Sequence, residues 1–256
     1  FYSTVWGGED IHVGLYQSET EPIRDASRRT VERMASKLGS IDESTKVLDV
    51  GAGYGGAMRY LAKTYGCECV ALNLSEVENE RDREMNKEQG LDDLITVVDG
   101  NFEDLPYDDA TFDVVWCQDS MLHSGDRARV LSEVARVLKP GGQFVFTDPM
   151  QSKDTPKSVL QPILDRIHLE SLGSPEFYRE QAAKLGLEEV EFEEHSQQLT
   201  NHYWRVLKEL ERREDEVRAA GVSQDYIDHM KKGLKHWVDG GKSGYLAWGI
   251  FLFRKP

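Results

Sequence analysis

Val47-Leu-Asp-Val-Gly-Ala-Gly-Tyr-Gly-Gly56 decides how the rest of the chain is read. A short apolar run stops at a glycine-rich turn, and a helix-compatible stretch follows. That order predicts strand, turn and helix at the carboxyl edge of an α/β sheet, where a ligand can approach bare backbone. Gly51, Gly53 and Gly56 fit G-x-G-x-x-G, a spacing common to many nucleotide sites. Asp49 narrows the choice. A pyrophosphate is anionic and is held by backbone N–H groups at a helix N-terminus. A carboxylate just before the first glycine would repel it. The same carboxylate suits a ligand with an ammonium, a sulfonium and no phosphate, which describes S-adenosylmethionine. The turn is therefore expected to take a methyl donor.

Outward from this turn, strands alternate with helices. Ile23, Ala26, Thr30, Met34 and Leu38 recur at helical steps between Pro22 and Gly39. Strands are expected at 46–50, 67–74, 95–99, 111–118 and 143–147, with helices at 55–65 and 127–138. Ser75 can cap a further helix, with Glu78 placed for a capping box. Alternation of this kind implies a mostly parallel sheet. The second half differs. It predicts a helix at 175–185, a strand at 187–195, charge-laced helices at 199–220 and 224–238, and an aromatic strand at 245–254. The helices between the last two strands read as a cap. The expected organisation is one domain over 1–256, with 1–20 as an N-terminal lid segment, 46–150 as the cofactor-binding core and 199–240 as a helical cap insertion.

Composition excludes several partners. Acidic residues outnumber basic ones, 46 to 31, for a net charge of −15. Nucleic acid and anionic membranes are bound through Lys and Arg, so neither is expected. An acidic surface serves solubility, or a cytoplasm of high salt or osmolyte. Cys67, Cys69 and Cys117 are odd in number and lie in predicted strands. No Cys/His metal spacing appears, so no metal is expected. Free thiols, no signal peptide and no long apolar run point to a reduced cytoplasm. Nothing in the sequence reports an oligomeric state.

Candidate ligand groups cluster after the strands. In dinucleotide folds an acidic residue about 20 positions beyond the glycines takes the ribose hydroxyls. Asn73 stands there, and its amide can both donate and accept. Asn101 could bond an adenine edge while Phe102 packs on the ring. Gln118 and Asp119 end the fourth strand and could hold the donor's amino-acid end. His123 is a candidate beside the acceptor. Pro149 stops the fifth strand, and Met150 could line a small apolar acceptor site. In the aromatic N-terminal segment, Trp6, Ile11, His12, Leu15 and Tyr16 are candidates for ligand contact, against the plainer reading of an arm packed on the core. Trp6, Tyr16, Tyr203, Trp204 and Trp237 could surround a methylated ammonium.

These motifs together resemble the class I S-adenosylmethionine-dependent methyltransferases. Leu-Asp-Val-Gly-Ala-Gly-Tyr-Gly-Gly, Asn-Phe-Glu-Asp-Leu-Pro-Tyr and Leu-Lys-Pro-Gly-Gly carry the likeness, between Lys46 and Pro149. The flanks narrow it. Tyr2-Ser-Thr-Val-Trp-Gly-Gly-Glu-Asp-Ile-His-Val-Gly14, Ala71-Leu-Asn-Leu-Ser-Glu-Val-Glu-Asn79, Trp116-Cys-Gln-Asp-Ser-Met-Leu-His-Ser124 and Leu246-Ala-Trp-Gly-Ile250 are similar to the sarcosine/dimethylglycine N-methyltransferases. The resemblance implies a Rossmann-like α/β fold: a mostly parallel seven-stranded sheet, helices on both faces, and a helical cap before the last strand. It implies methyl transfer to sarcosine and then dimethylglycine, giving betaine, a compatible solute. By position it assigns the donor to Asp49, Gly51, Gly53, Asn73, Asn101, Phe102 and Gln118, and Ala52, Leu74 and Tyr16 are expected as further donor contacts. It assigns the acceptor to Pro149 and Met150, with Trp6 and Tyr203, and leaves His123 as the candidate base. An amino-acid acceptor carries a carboxylate, which calls for a cation, and Arg166 is the chosen one. Asn73 departs from the acidic residue of many class I members. Rival readings are another acceptor (glycine, phosphoethanolamine or a hydroxyl-bearing metabolite) and a nucleoside-binding protein without chemistry.

Overall fold

The computed structural model describes Val5 and residues 8–256. Trp6, an acceptor candidate, lies outside the described residues.

The elements in chain order are α1 (Ile23–Lys37), β1 (Lys46–Val50), α2 (Gly56–Tyr65), β2 (Glu68–Asn73), α3 (Glu76–Glu88), β3 (Ile95–Asp99) and β4 (Phe112–Gln118). A 3-10 turn (Met121–His123) leads to α4 (Arg127–Val137), β5 (Leu138–Thr147) and β6 (Met150–Gln151). Then come α5 (Lys157–Ile167), α6 (Pro175–Lys184), β7 (Glu188–Glu194), α7 (Ser196–Arg212), α8 (Glu214–Ala219), α9 (Gln224–Lys242), β8 (Leu246–Ala247) and β9 (Gly249–Arg254).

Seven strands form one sheet in the order β3-β2-β1-β4-β5-β9-β7. β1 pairs parallel with β2 and β4, β2 with β3, and β4 with β5, while β9 pairs antiparallel with β5. The expected α/β architecture is therefore present. Parallel strands buried on both faces read as continuous apolar runs, and Val47, Leu48, Val114, Val115 and Trp116 are all fully or almost fully buried. Cys67 and Cys69 share one face as expected, with their sulfurs 3.7 Å apart and unjoined.

The chain divides into two compact units. The sheet unit comprises 31–148, 176–193 and 249–256; the helical unit comprises 1–30, 149–175 and 194–248. In the sheet unit, Phe146 stacks on Phe251, and Phe251 on Phe192, at 4.9 and 4.1 Å between ring centres. Lys37 joins both Glu191 and Glu193, tying the second half of α1 to β7. In the helical unit, Ile23, Val206, Leu210, Ile227 and Leu234 form a separate apolar cluster.

Several expected elements change. The single helix expected at 199–220 is two helices, broken at Arg213. Glu214, Asp215 and Glu216 follow the break and favour a fresh helix N-terminus there. The strand expected at 245–254 is split at Trp248. Ser196 Oγ accepts from the Trp248 N–H, and the Trp248 carbonyl accepts from the His195 N–H, so neither group is left for a ladder. Leu246 and Ala247 instead pair with Met150 and Gln151 in a separate two-stranded sheet. β5 begins at Leu138, five residues early, because Lys139-Pro-Gly-Gly142 is absorbed as an irregularity in its pairing with β4. α5 was not expected; its interior Pro162 hides the helical pattern.

Candidate functional site

The glycine turn follows directly from local chemistry. Gly51 has φ +80°, which a side chain rarely adopts, and a Cβ there would lie 2.5 Å from Ser120. Ser120 Oγ donates to the Gly51 carbonyl, and the Gly51 and Ala52 N–H groups donate to the Leu72 carbonyl. The turn is thus held from β2 and from the end of β4. Phe102 completes it: its ring edge would lie 3.9 Å from a Cβ on Gly51.

Asp49 is buried, and its Oδ1 has no hydrogen-bond partner. Burial first, and then the nearby charge of Asp82, raise its pKa well above the usual carboxylate range. A buried carboxylate of this kind is costly unless a cation or donor meets it. Gln118 is also buried. Its Oε1 accepts from the Trp116 indole N–H at 3.0 Å, and its Nε2 has no partner. An orphaned carboxylate oxygen and an orphaned amide N–H at the ends of neighbouring strands fit a ligand bearing both an ammonium and a carboxylate. The residues therefore suit the amino-acid end of S-adenosylmethionine.

Sequence reasoning overlooked what braces this turn. Arg59, buried on α2, donates to Asp82 at 2.8 Å, to Asn86 at 2.9 Å and to the Tyr54 carbonyl at 2.5 Å. Burial raises the Asp82 pKa to about 6, against the pull of Arg59. Asn79, Asp82 and Asn86 all point inward from α3. In the sequence they pass for the polar face of an amphipathic helix.

Some expected contacts are already committed elsewhere. Asn73 Nδ2 donates to Glu78 at 2.8 Å. Ser75 does cap α3 by accepting from the Glu78 N–H, but the Glu78 carboxylate turns to Asn73 instead of completing a capping box. A carboxylate is thus brought beside Asn73 from the first turn of α3. Asn101 is exposed, and its Oδ1 closes a local turn by accepting from the Glu103 N–H. Its amide N–H groups are the part left for an adenine edge. Leu74 is 65 % exposed, unusual for a leucine and available to an apolar ring. Asp119 sits at φ +52° and accepts from Thr147 Oγ1, so it shapes the strand end.

His123 closes the 3-10 turn, whose Leu122 is bracketed on both sides. The Leu122 N–H donates to Asp148 Oδ1 at 3.0 Å, and its carbonyl accepts from Arg127 at 2.8 Å. Asp148 is fully buried, accepts from the Tyr178 hydroxyl at 2.6 Å, and is raised by burial to about 7. His123 is exposed, yet partial desolvation and then the Arg127 cation lower its pKa. A neutral imidazole with a lowered pKa is a weak base toward an alkylammonium.

In the helical unit, the N-terminal segment is packed as an arm. His12 and Leu15 are buried, Ser27 Oγ donates to the His12 carbonyl, and Thr30 Oγ1 to the Val13 carbonyl. Ile11 packs on the apolar cluster. Ile11, His12 and Leu15 thus take part in packing, as the plainer reading of this segment expects. Tyr16 is held through its backbone by Gln198 and through its hydroxyl by His202 Nδ1 at 2.8 Å. The Gly14 N–H also donates to that nitrogen, which makes it the acceptor and places the imidazole proton on Nε2. Among the described residues the aromatic side chains do not form one box. Tyr203 and Trp237 stack face to face, 4.6 Å apart and 22° from parallel, so those faces are spent on each other. Trp204 instead lines a cavity of about 440 Å³ with Tyr16, Asn201, Arg205 and Lys242. Pro149 and Met150 are buried where β6 begins, and Arg166 lies in the last turn of α5.

Comparison with known proteins bears on this arrangement. The methyltransferase domain family matches residues 48–146. The chain is 63 % identical over 255 residues to a sarcosine/dimethylglycine N-methyltransferase of Halorhodospira halochloris, covering 100 % of this chain and 91 % of that protein. It is 57 % identical to the enzyme of the same name from Aphanothece halophytica, covering 100 % and 92 %. A crystal structure from Galdieria sulphuraria, assigned as a sarcosine dimethylglycine methyltransferase, superposes with a TM-score of 0.94 at 45 % identity, covering 100 % of this chain and 97 % of that one.

Proposed function

The chain belongs to the sarcosine/dimethylglycine N-methyltransferases, and on that premise we propose that it methylates sarcosine to dimethylglycine and dimethylglycine to betaine, using S-adenosylmethionine. The observation that carries the donor side is the buried, unpartnered Asp49 Oδ1 beside the glycine turn. Bound there, S-adenosylmethionine supplies an electrophilic methyl group on a sulfonium sulfur.

In this reading Asp49 ionises as the donor's ammonium arrives, and Gln118 Nε2 meets its carboxylate. Gly51, Ala52 and Gly53 provide close backbone, Asn73 with Glu78 takes the ribose, and Leu74, Asn101 and Phe102 take the adenine. Tyr16 is retained as a donor contact. Pro149, Met150, Tyr203 and Trp6 belong to the acceptor side, with Arg166 as the cation for its carboxylate. His123 is retained beside the acceptor as the group to test for proton transfer. The amine must be neutral to attack, and alignment of two bound reactants supplies the main acceleration, of order 7–11 kcal/mol.

Small amino-acid acceptors, not nucleic acid, suit a chain of net charge −15. No described helix is long and apolar enough to cross a membrane. The three unjoined cysteines support a reducing cytoplasm as the place of action. The test is an acceptor panel with radiolabelled donor. Product from sarcosine and dimethylglycine, and little from glycine, phosphoethanolamine or phenols, is expected. Preference for any of the last three would overturn the substrate assignment, and donor binding without product would favour a mere binding protein.

A further inference from the structure

Arg166 is seated in a way that a surface arginine is not. Its Nε is buried and has no hydrogen-bond partner, and its Nη2 touches only the Met230 sulfur, at 3.7 Å. Among the described residues no carboxylate lies within ion-pair distance of it, in a chain with 46 acidic residues. Other arginines here are paired: Arg59 with Asp82, Arg136 with Glu133, Arg205 with Glu209. A half-buried guanidinium without a counter-charge is expensive, and folding normally supplies one.

The opposite helix is shaped to receive it. Gly233 lies on the buried face of α9, together with Met230, Leu234 and Trp237. A Cβ on Gly233 would fall 1.8 Å from Arg166 Cδ and 2.2 Å from its Nε. A glycine inside a helix costs about 1 kcal/mol relative to alanine. Here it opens the notch through which the arginine stem passes. Met230 then meets the guanidinium with a soft sulfur that carries no charge, so the cation is positioned but not neutralised. Among the described residues Nη1 has no hydrogen-bond partner, which leaves the fork able to grip a carboxylate.

We propose that Gly233 and Met230 form a notch that holds Arg166 unpaired, and that this makes Gly233 and Met230 specificity-determining residues for the carboxylate of the amine acceptor. The proposal deepens the assigned reaction and rests on it. Gly233 and Met230 act through Arg166, so they are positioning residues.

The test compares KM and kcat for sarcosine and dimethylglycine, donor affinity by calorimetry, and turnover of N-methylethanolamine, which lacks the carboxylate. Arg166→Ala should raise the acceptor KM by about tenfold to a hundredfold, within the range for an unpaired charge-assisted contact, with donor affinity unchanged. Gly233→Ala should raise it at least tenfold by displacing the arginine. Added to Arg166→Ala, the Gly233→Ala change should have no further effect beyond twofold. Should Gly233→Ala fold poorly, Met230→Glu gives the same reading: its new carboxylate captures Arg166 and raises the acceptor KM. The preference for sarcosine over N-methylethanolamine should collapse in each variant. Unchanged acceptor KM in folded variants, equal losses for donor and acceptor, or additive effects of Arg166→Ala and Gly233→Ala would overturn the notch while leaving the reaction standing. If the wild-type chain turns over neither amine, the reaction fails, and the notch fails with it.

Discussion

Asp49 in the sheet unit and Arg166 in the helical unit each carry a buried, unsatisfied polar atom, and the two groups are of opposite charge type. At the ends of β1 and β4 the notable orphan is a carboxylate oxygen, that of Asp49, with the Gln118 amide beside it. In the helical unit Arg166 Nε and Trp237 Nε1 are among the unsatisfied buried atoms, and both are N–H donors. A methyl donor of this kind is cationic, and an amino-acid acceptor has an anionic end. Asp49 and Arg166 thus differ in the sign of the ligand group that each suits. They differ too in how the groups arise. Asp49 and Gln118 are placed by strand register, since β1 and β4 pair with Asp49 opposite Trp116. Arg166 is placed by one helix packing on another through a missing side chain.

The largest test of this contrast is Asp49→Asn. Removing one charge of a buried pair costs about 2–5 kcal/mol, so donor affinity in calorimetry should fall by at least tenfold while sarcosine discrimination against N-methylethanolamine persists. An unchanged donor affinity would remove the carboxylate from the argument. Gly51→Ala comes next. Left-handed backbone costs about 1–2 kcal/mol, and the clash with Ser120 adds about 1–3 kcal/mol. The expected result is a lower thermal midpoint and a weakened donor site together. A variant with native stability would show that the turn relaxes without cost.

Proton linkage should separate the units more finely. In the helical unit, burial first lowers His12 to about 4, with help from Arg28, and His202 to about 3, with help from His12. Both are neutral when folded, and the unfolded forms gain protons below about 6.5. Unfolding therefore takes up protons as pH falls from about 6.5 toward 4, and stability drops on the acid side. His202→Gln should flatten that slope in urea titrations; an unchanged slope would mean that the ring is solvated. In the sheet unit the sign reverses. Asp148 is held protonated up to about 7 by burial, whereas its unfolded form ionises near 3.8. Stability contributed by that retained proton is present below about 4 and is lost as pH rises toward 7. Asp148→Asn should remove this alkaline loss and shift the optimum upward. Failure to do so would argue that Tyr178 and the Leu122 N–H keep the carboxylate ionised. The smallest expected effect is Arg81→Ala, which breaks an exposed ion pair with Glu84 and should leave the midpoint of urea titrations almost unchanged, because exposed ion pairs contribute little.

The halves were not equally readable. In the sheet unit, β1, β3 and the start of α4 fall where apolar runs and caps place them, since backbone periodicity is local. Asp49 stands out for the same reason, as a charge inside an apolar run. Asn73 and Asn101 were readable as polar strand ends, but their partners Glu78 and the Glu103 N–H were not. In the helical unit, the aromatic residues suggested a cage, yet Tyr203 and Trp237 face each other. Aromatic content tells of burial and not of which ring meets which.

Residue order alone settles the alternation of strands and helices, the glycine turn, the acid that precedes it and the acidic balance of the surface. Each of these is a property of neighbouring residues, or of their sum. Three-dimensional packing decides that Asp82 braces the turn, that Trp248 divides the final strand, and that Gly233 opposes Arg166 across 67 positions of sequence. A clash or an unpaired charge exists only between atoms brought together by folding. No local pattern can record that glycine 233 is empty because arginine 166 needs the space.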